Sequence, residues 1–259
     1  MKEIKSDKIG KLPGRKLEAG DTFFFRCHPD IACFNLCCRN LNLFLYPYDV
    51  IRLKNHLGIS SDQFLEEYTD AVLREGSWFP EVLLRMAENK EKTCPFLTDT
   101  GCSVYPDRPD SCRSFPVEHG LFFNEKGQSE TLSFYRPPDF CLGQHEDQEL
   151  TPESWRADQE AQRYHQMTVR WAEIRSLFQK NPWGTEGPQG PKAKMAFMAV
   201  YNIDSFRDFV FNSSFLKRYK IKKDLQKKFR RKDEQLLQLS FEWIAFYLWG
   251  IRPRLFRMS

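Results

Sequence analysis

The chain has 259 residues, 41% hydrophobic and 29% charged, a balance that excludes wholesale disorder and leaves room for one or two domains with ordinary cores. Its net charge of +4 is too small to mark a nucleic-acid protein unless the basic residues gather on one surface. Eight cysteines make up about 3% of the residues, far below the density of a disulfide-stapled mini-protein.

Residues 1–20 alternate Lys, Glu and Asp with Gly and Pro and hold no apolar stretch of the length an export signal needs. The expectation is a polar leader on a cytoplasmic protein, whose reducing surroundings leave the thiols free for metal. Phe23, Phe24 and Phe25 lead into the first cysteine group, Cys27, Cys33, Cys37 and Cys38. Residues 42–48 are apolar enough for a short buried strand or loop. Pro47 and Asp49 then start a helix with Val50, Leu53 and Leu57 at helical spacing, closed by Gly58. Ser60 with Gln63 reads as a capping box for a second helix that buries Phe64, Leu65 and Tyr68.

The second cysteine group, Cys94, Cys102, Cys112 and Cys141, runs through a stretch broken by Pro95, Gly101, Pro106, Pro109, Pro116, Pro137 and Pro138. Such a stretch cannot be one regular element. Thiolates converging on a metal would order it, because metal binding is coupled to the folding of its ligand loops.

Thr151 and Pro152 open one long helix carrying Trp155, Tyr164, Met167, Trp171, Ile174 and Phe178, ended by Asn181 and Pro182. Residues 184–191 form a loop, and Ile203, Phe206 and Val210, then residues 236–249, mark at least two further helices. No strand alternation and no internal repeat stand out. The expected fold is therefore mainly α: an irregular cysteine-rich metal-binding core at 21–145, wrapped by helices, with a helical C-terminal region at 146–259 packed on it. The apolar run 236–251 is interrupted by Gln238 and Glu242 and is shorter than the roughly 20 residues a membrane span needs.

Between Lys217 and Lys232 lie ten Lys or Arg residues against one acid, Asp224. With no interleaved aromatic platform, the run reads first as a solvated helix face, and nucleic acid is disfavoured. An acidic partner is the other use of such a surface.

The chemistry lies in the thiols. Five residues separate Cys27 from Cys33, three separate Cys33 from Cys37, and no C-x-x-C knuckle occurs anywhere. Tetrahedral zinc modules present paired ligands two to four residues apart, so the pattern fits a zinc ribbon poorly. The neighbouring side chains of Cys37 and Cys38 diverge in either regular backbone, which suits separate centres or separate irons of one cluster. Eight thiols fill two four-ligand sites, or four bind one cluster while the rest are structural or redox-active. An iron–sulfur centre is preferred, zinc comes second, and metal-free thiols third. Arg26, Arg39, Arg108 and Arg113 stand near these cysteines in sequence; Arg39, Arg108 and Arg113 are the candidates for offsetting thiolate charge and donating to sulfur. His28 and His119 lie inside cysteine segments, but with so many thiols they read as ordinary hydrogen-bonded histidines, and His56, His145 and His165 carry no motif.

The run Cys94-Pro-Phe-Leu, Gly101-Cys102-Ser-Val-Tyr105-Pro-Asp-Arg108-Pro109, Cys112-Arg113-Ser-Phe115-Pro116 and Cys141, preceded by Cys37-Cys38, resembles the YkgJ family of cysteine-cluster proteins. Tyr46-Pro47-Tyr48-Asp49-Val50 and Tyr201-Asn-Ile-Asp204-Ser-Phe206-Arg207 are similar to longer members, extending the resemblance from residue 22 to about 250. The resemblance implies a bacterial zinc- or iron-chelating protein with all eight cysteines as ligands, and a relation to flagellin lysine N-methylase. The first half departs from the family's more compact spacing at Cys27 and Cys33.

Three functions follow as expectations: a cytoplasmic protein holding an iron–sulfur cluster such as 4Fe-4S, or zinc, in a redox or metal-handling role; a protein lysine N-methylase using S-adenosylmethionine; or a structural zinc protein whose helical part docks a partner. The substrate or partner protein is open in each, and no catalytic base or nucleophile stands out.

Overall fold

The computed structural model describes every residue except Met1, Lys5, Lys126 and Gly127. Helices take 46% of the chain and strands 16%, in several small sheets, so the fold is mixed α/β and not mainly α. Most of the strands are two to four residues long, too short to display a period of two in the sequence. The two longest, Val117–Phe123 and Ser129–Tyr135, bury their residues without clean alternation.

Two compact units divide the chain, each assembled from two separate stretches: residues 1–43 with 85–173, and residues 44–84 with 174–259. In the first, Val117–Phe123 and Ser129–Tyr135 form an antiparallel hairpin at the centre of a four-stranded sheet. Lys2–Glu3 pairs parallel on one edge and Arg15–Leu17 antiparallel on the other. Leu17, Phe23, Phe25, Val117, Leu150 and Trp155 form its core, and Cys141 is buried in the same cluster. Phe25 meets the rings of Trp155 and Phe115 edge-on at 5.3 and 5.9 Å, and Trp155 Nε1 donates to the Ser114 carbonyl at 3.0 Å. The core is thereby tied to the segment that carries Cys112.

Thr151 caps its helix as expected, accepting from the Ser154 N–H at 3.1 Å. The single long helix does not form, however: the structure has Pro152–Asp158 and then Gln162–Ser176. Glu160 turns left-handed between them, at φ 50°. The cause lies elsewhere in the chain, because Arg108 and Arg113 both bind Gln159, one through its side chain and one through its carbonyl.

His119 on the hairpin and His165 on the second of these helices meet edge to face, 4.8 Å between ring centres. Burial lowers His119 to about 3, with the charges of His165 and Arg156 adding, and burial lowers His165 to about 4, with Arg156 adding. Both rings are therefore neutral in the fold, whereas in the unfolded chain they take up protons below their ordinary value of about 6.5. Stability is then complete above that pH and is lost as the pH falls through about 4 for His165 and about 3 for His119, by at most about 3 and 5 kcal/mol respectively. Urea titrations at descending pH should show this loss, and His165→Phe should flatten it; an unchanged slope in the variant would exclude the pair as its source.

In the second unit the helix Pro47–Leu57 ends at Gly58, whose φ of 67° is the left-handed cap a glycine adopts without strain. Ser60 accepts from the Gln63 N–H at 3.2 Å and starts Ser61–Tyr68, although the Gln63 side chain turns to Glu67 instead of closing the capping box. The helix Asp233–Trp249 buries Leu236, Leu237, Leu239, Phe241, Trp243 and Ile244. Against it pack Pro191–Tyr201, which buries Ala193, Ala196 and Ala199, and Ile203–Asn212, which buries Val210 and brings the Phe206 ring 5.7 Å from that of Trp243. Phe44–Leu45, Glu81–Leu84 and Thr69–Val72 add a three-stranded sheet in that order. Among the described residues no helix is long and apolar enough to cross a membrane.

Candidate metal centre

All eight cysteines belong to the first unit, and backbone hydrogen bonds bring their two sequence groups together. Cys27 follows the strand Phe23–Phe24 and is exposed. Cys33 lies in a series of tight turns, and its carbonyl accepts from the Leu36 N–H at 3.0 Å. Cys37 and Cys38 sit in a single 3-10 turn, Leu36–Cys38, entered through the left-handed Asn35 at φ 64°.

From there the chain is stitched to the second group, since the Cys94 N–H donates to the Cys38 carbonyl at 2.8 Å. Arg39 and Thr93 continue the pairing as an isolated antiparallel bridge. Cys94 precedes a small hairpin, Leu97–Thr98 with Gly101–Cys102, in which Leu97 pairs with Cys102. Cys112 lies on the short helix Asp110–Ser114. Cys141 follows the long hairpin, and the next N–H, from Leu142, donates to the Cys33 sulfur at 3.2 Å.

Gly143 permits this approach. A Cβ built there would stand 2.7 Å from the Arg26 carbonyl oxygen and 3.0 Å from the Phe25 ring, so only glycine lets the strand entering Cys27 lie against the turn leaving Cys141. The Arg26 N–H uses the space to donate to the Gly143 carbonyl at 3.0 Å. The sequence offers one sign of it, a glycine two residues after a cysteine.

The sulfurs share one electrostatic environment. Cys27 keeps contact with solvent, but the protein packed around part of it raises it to about 11, with repulsion from Cys37, Cys33 and Cys141 adding. Burial also raises Cys94 to about 11, against the backbone of Phe96 and with Cys102 and Cys37 adding. Cys37 is pushed far above the ordinary thiol range, first by its hydrogen bond with Cys38 and then by burial. Cys102 and Cys141 are raised as well, chiefly by burial, and each also feels Cys37. Cys37 is thus coupled to thiols of both groups. Without a cation these sulfurs keep their protons at neutral pH, so a metal must displace protons to bind.

Backbone geometry already favours the charged form at three of them. At Cys94, Cys102 and Cys141 the backbone of Phe96, Val104 and Gly143 respectively offsets part of the rise that burial causes. Hydrogen bonds to sulfur lower thiolate basicity and hold metal-ligating sulfurs in place.

The three arginines are placed as follows. Arg39 bonds Glu91 at 2.9 Å and the Asn35 carbonyl at 2.6 Å, and its charge favours the Cys37 thiolate. Arg108 donates to the Tyr105 carbonyl at 2.6 Å, lies 3.8 Å over the Tyr105 ring, and interacts electrostatically with Cys102 and Cys112. Arg113 is only 2% exposed; it donates to the carbonyls of Pro106 and Gln159, both at 2.5 Å, and lies 4.3 Å from the Tyr164 ring. His28 turns to the carboxylates of Glu146 at 3.4 Å and Asp30 at 3.8 Å, and His119 bonds Ser133 at 3.0 Å.

Among the described residues no three His, Cys, Asp or Glu side chains already form a coordination shell, so the site is a converging set of donors and not a preformed cage. Its chemistry, sulfur donors with the Leu142 N–H directed at Cys33 and two guanidinium charges nearby, suits a thiophilic ion or cluster. Neither a curated protein nor a solved structure shows a significant match to the chain. Over residues 26–142, just under half of the chain and including every cysteine, the sequence matches the CxxCxxCC family model of a "putative zinc- or iron-chelating domain", and chelation of zinc or iron through these cysteines is the function that match supports.

Proposed function

We propose that the cysteines hold an iron–sulfur cluster and that the protein serves a redox or metal-handling role, with zinc as the alternative occupant. The carrying observation is the joining of the two cysteine groups, by the Cys94 N–H on the Cys38 carbonyl at 2.8 Å and by the Leu142 N–H on the Cys33 sulfur at 3.2 Å, the second being of the kind by which a protein stabilises and tunes such clusters. The lack of a C-x-x-C knuckle favours a cluster over tetrahedral zinc. When bound, the cluster supplies one-electron chemistry. The chain's own part is to hold the thiolates, to offset their charge through Arg39 and Arg108, and to limit water at the buried Cys141. Leu36, Phe140 and Leu142 adjoin cysteines in sequence and are 43%, 47% and 40% exposed, which offers a redox or metal-transfer partner an apolar contact beside the ligands.

The test is anaerobic purification followed by iron, zinc and acid-labile sulfide analysis. Brown protein containing iron and sulfide is expected. Colourless protein with stoichiometric zinc would replace the cluster with a zinc centre, and protein without either metal would defeat both readings.

A further inference from the structure

Within the second unit, the helix Pro47–Leu57 and the junction of Lys223–Arg231 with Asp233–Trp249 border an open cleft of about 600 Å³. Six cationic side chains line it, Arg52, Lys54, Arg207, Arg230, Arg231 and Lys232, against two acidic ones, Asp233 and Glu234.

The floor is already paired. Lys54 lies 3.1 Å from both Asp204 and Asp233, Arg207 bonds the same two carboxylates, and Asp204 also accepts from the Ser61 N–H and hydroxyl at 2.9 and 2.8 Å. Asn55 completes Asp233 at 3.0 Å, and the Tyr48 hydroxyl donates to Glu234 at 3.3 Å. The two acids of the cleft are therefore engaged within the protein.

The wall is different. Arg230, Arg231 and Lys232 are exposed and form no ion pair among the described residues. The Arg230 guanidinium lies 3.9 Å over the Phe211 ring, which holds it extended. Phe229, 1% exposed, anchors the helix so that its other faces meet solvent. Along that helix Lys223, Lys227 and Arg231 stand four residues apart on one face, a stripe about 12 Å long that ends in the cleft.

We propose that this cleft and stripe form a docking site for an acidic segment of a partner protein, a run of Asp and Glu lying along Lys223–Arg231 with one end in the cleft. The guanidinium groups match carboxylates in fork geometry, and the stripe is longer than one anion requires. Nucleic acid fits less well. The Tyr48 ring is 6% exposed and Arg230 covers Phe211, so the cleft offers bases no open aromatic face.

The site is separate from the cysteines, and its test does not depend on metal. A fluorescein-labelled oligoglutamate peptide is titrated with the full-length protein, with anisotropy as the readout. Binding is expected at low ionic strength and should weaken as salt screens the contact. The double variant Arg230→Glu, Arg231→Glu should lose about tenfold or more in affinity, while Lys90→Glu, an exposed charge change in the other unit, should not. Unchanged circular dichroism of the double variant certifies its fold. The proposal is overturned if the peptide does not bind, if the double variant binds like the parent, if Lys90→Glu weakens binding equally, or if a single-stranded DNA of the same charge binds more tightly.

Discussion

Cys37→Ser is expected to leave the protein without its metal after desalting, with retention weakened by at least about a hundredfold. The reason is position. Cys37 sits in the turn Leu36–Cys38, whose last carbonyl accepts from the Cys94 N–H at 2.8 Å, and it interacts electrostatically with early and late thiols alike, Cys27, Cys94, Cys102 and Cys141. A serine hydroxyl in its place is a poor ligand for a thiophilic centre and cannot supply a thiolate. Metal and sulfide per chain, measured side by side for the variant and its parent, decide the matter. Full retention in Cys37→Ser would show that the centre is built without it.

Arg113→Ala should cost about 3–5 kcal/mol in urea unfolding. The side chain is almost wholly buried and gives its two terminal nitrogens to the carbonyls of Pro106 and Gln159. Removing it leaves both oxygens unpaired, opens a cavity against Tyr164, and takes a compensating charge from Asp110, whose pKa burial raises. Arg113→Lys should rescue little, since one ammonium cannot span both carbonyls as the planar guanidinium does. Metal retention should fall as well, because the segment between Cys102 and Cys112 loses the anchor that fixes it. A loss below about 1 kcal/mol would remove Arg113 from this role.

What was legible in the sequence was local chemistry. Gly58, Ser60 and Thr151 announced helix ends because a cap is made by residues within one turn of each other. The break at Gln159 to Ala161 had no such sign, since it depends on Arg108 and Arg113, about fifty residues earlier. Short strands leave no sign for a related reason: a two-residue strand such as Phe23–Phe24 is defined by its partner Glu149–Leu150, not by its own pattern. At the candidate metal centre, composition and spacing make the cysteines ligand candidates. The Cys94 to Cys38 bond, the Leu142 donor to Cys33 and the clearance at Gly143 required coordinates, because each joins segments distant in the chain.

Because the polypeptide leaves the cysteine-bearing unit after residue 43 and re-enters it at residue 85, no single cut can liberate that unit as a continuous fragment. An excised piece spanning 26–142 would carry residues 44–84 as an orphaned insert, with Val50, Leu53 and Phe64, all buried in the whole chain, stripped of the helices between 174 and 259 that belong to their unit. Such a piece would present an oily, self-associating surface, so biochemical dissection is better served by point substitution in the intact chain than by truncation.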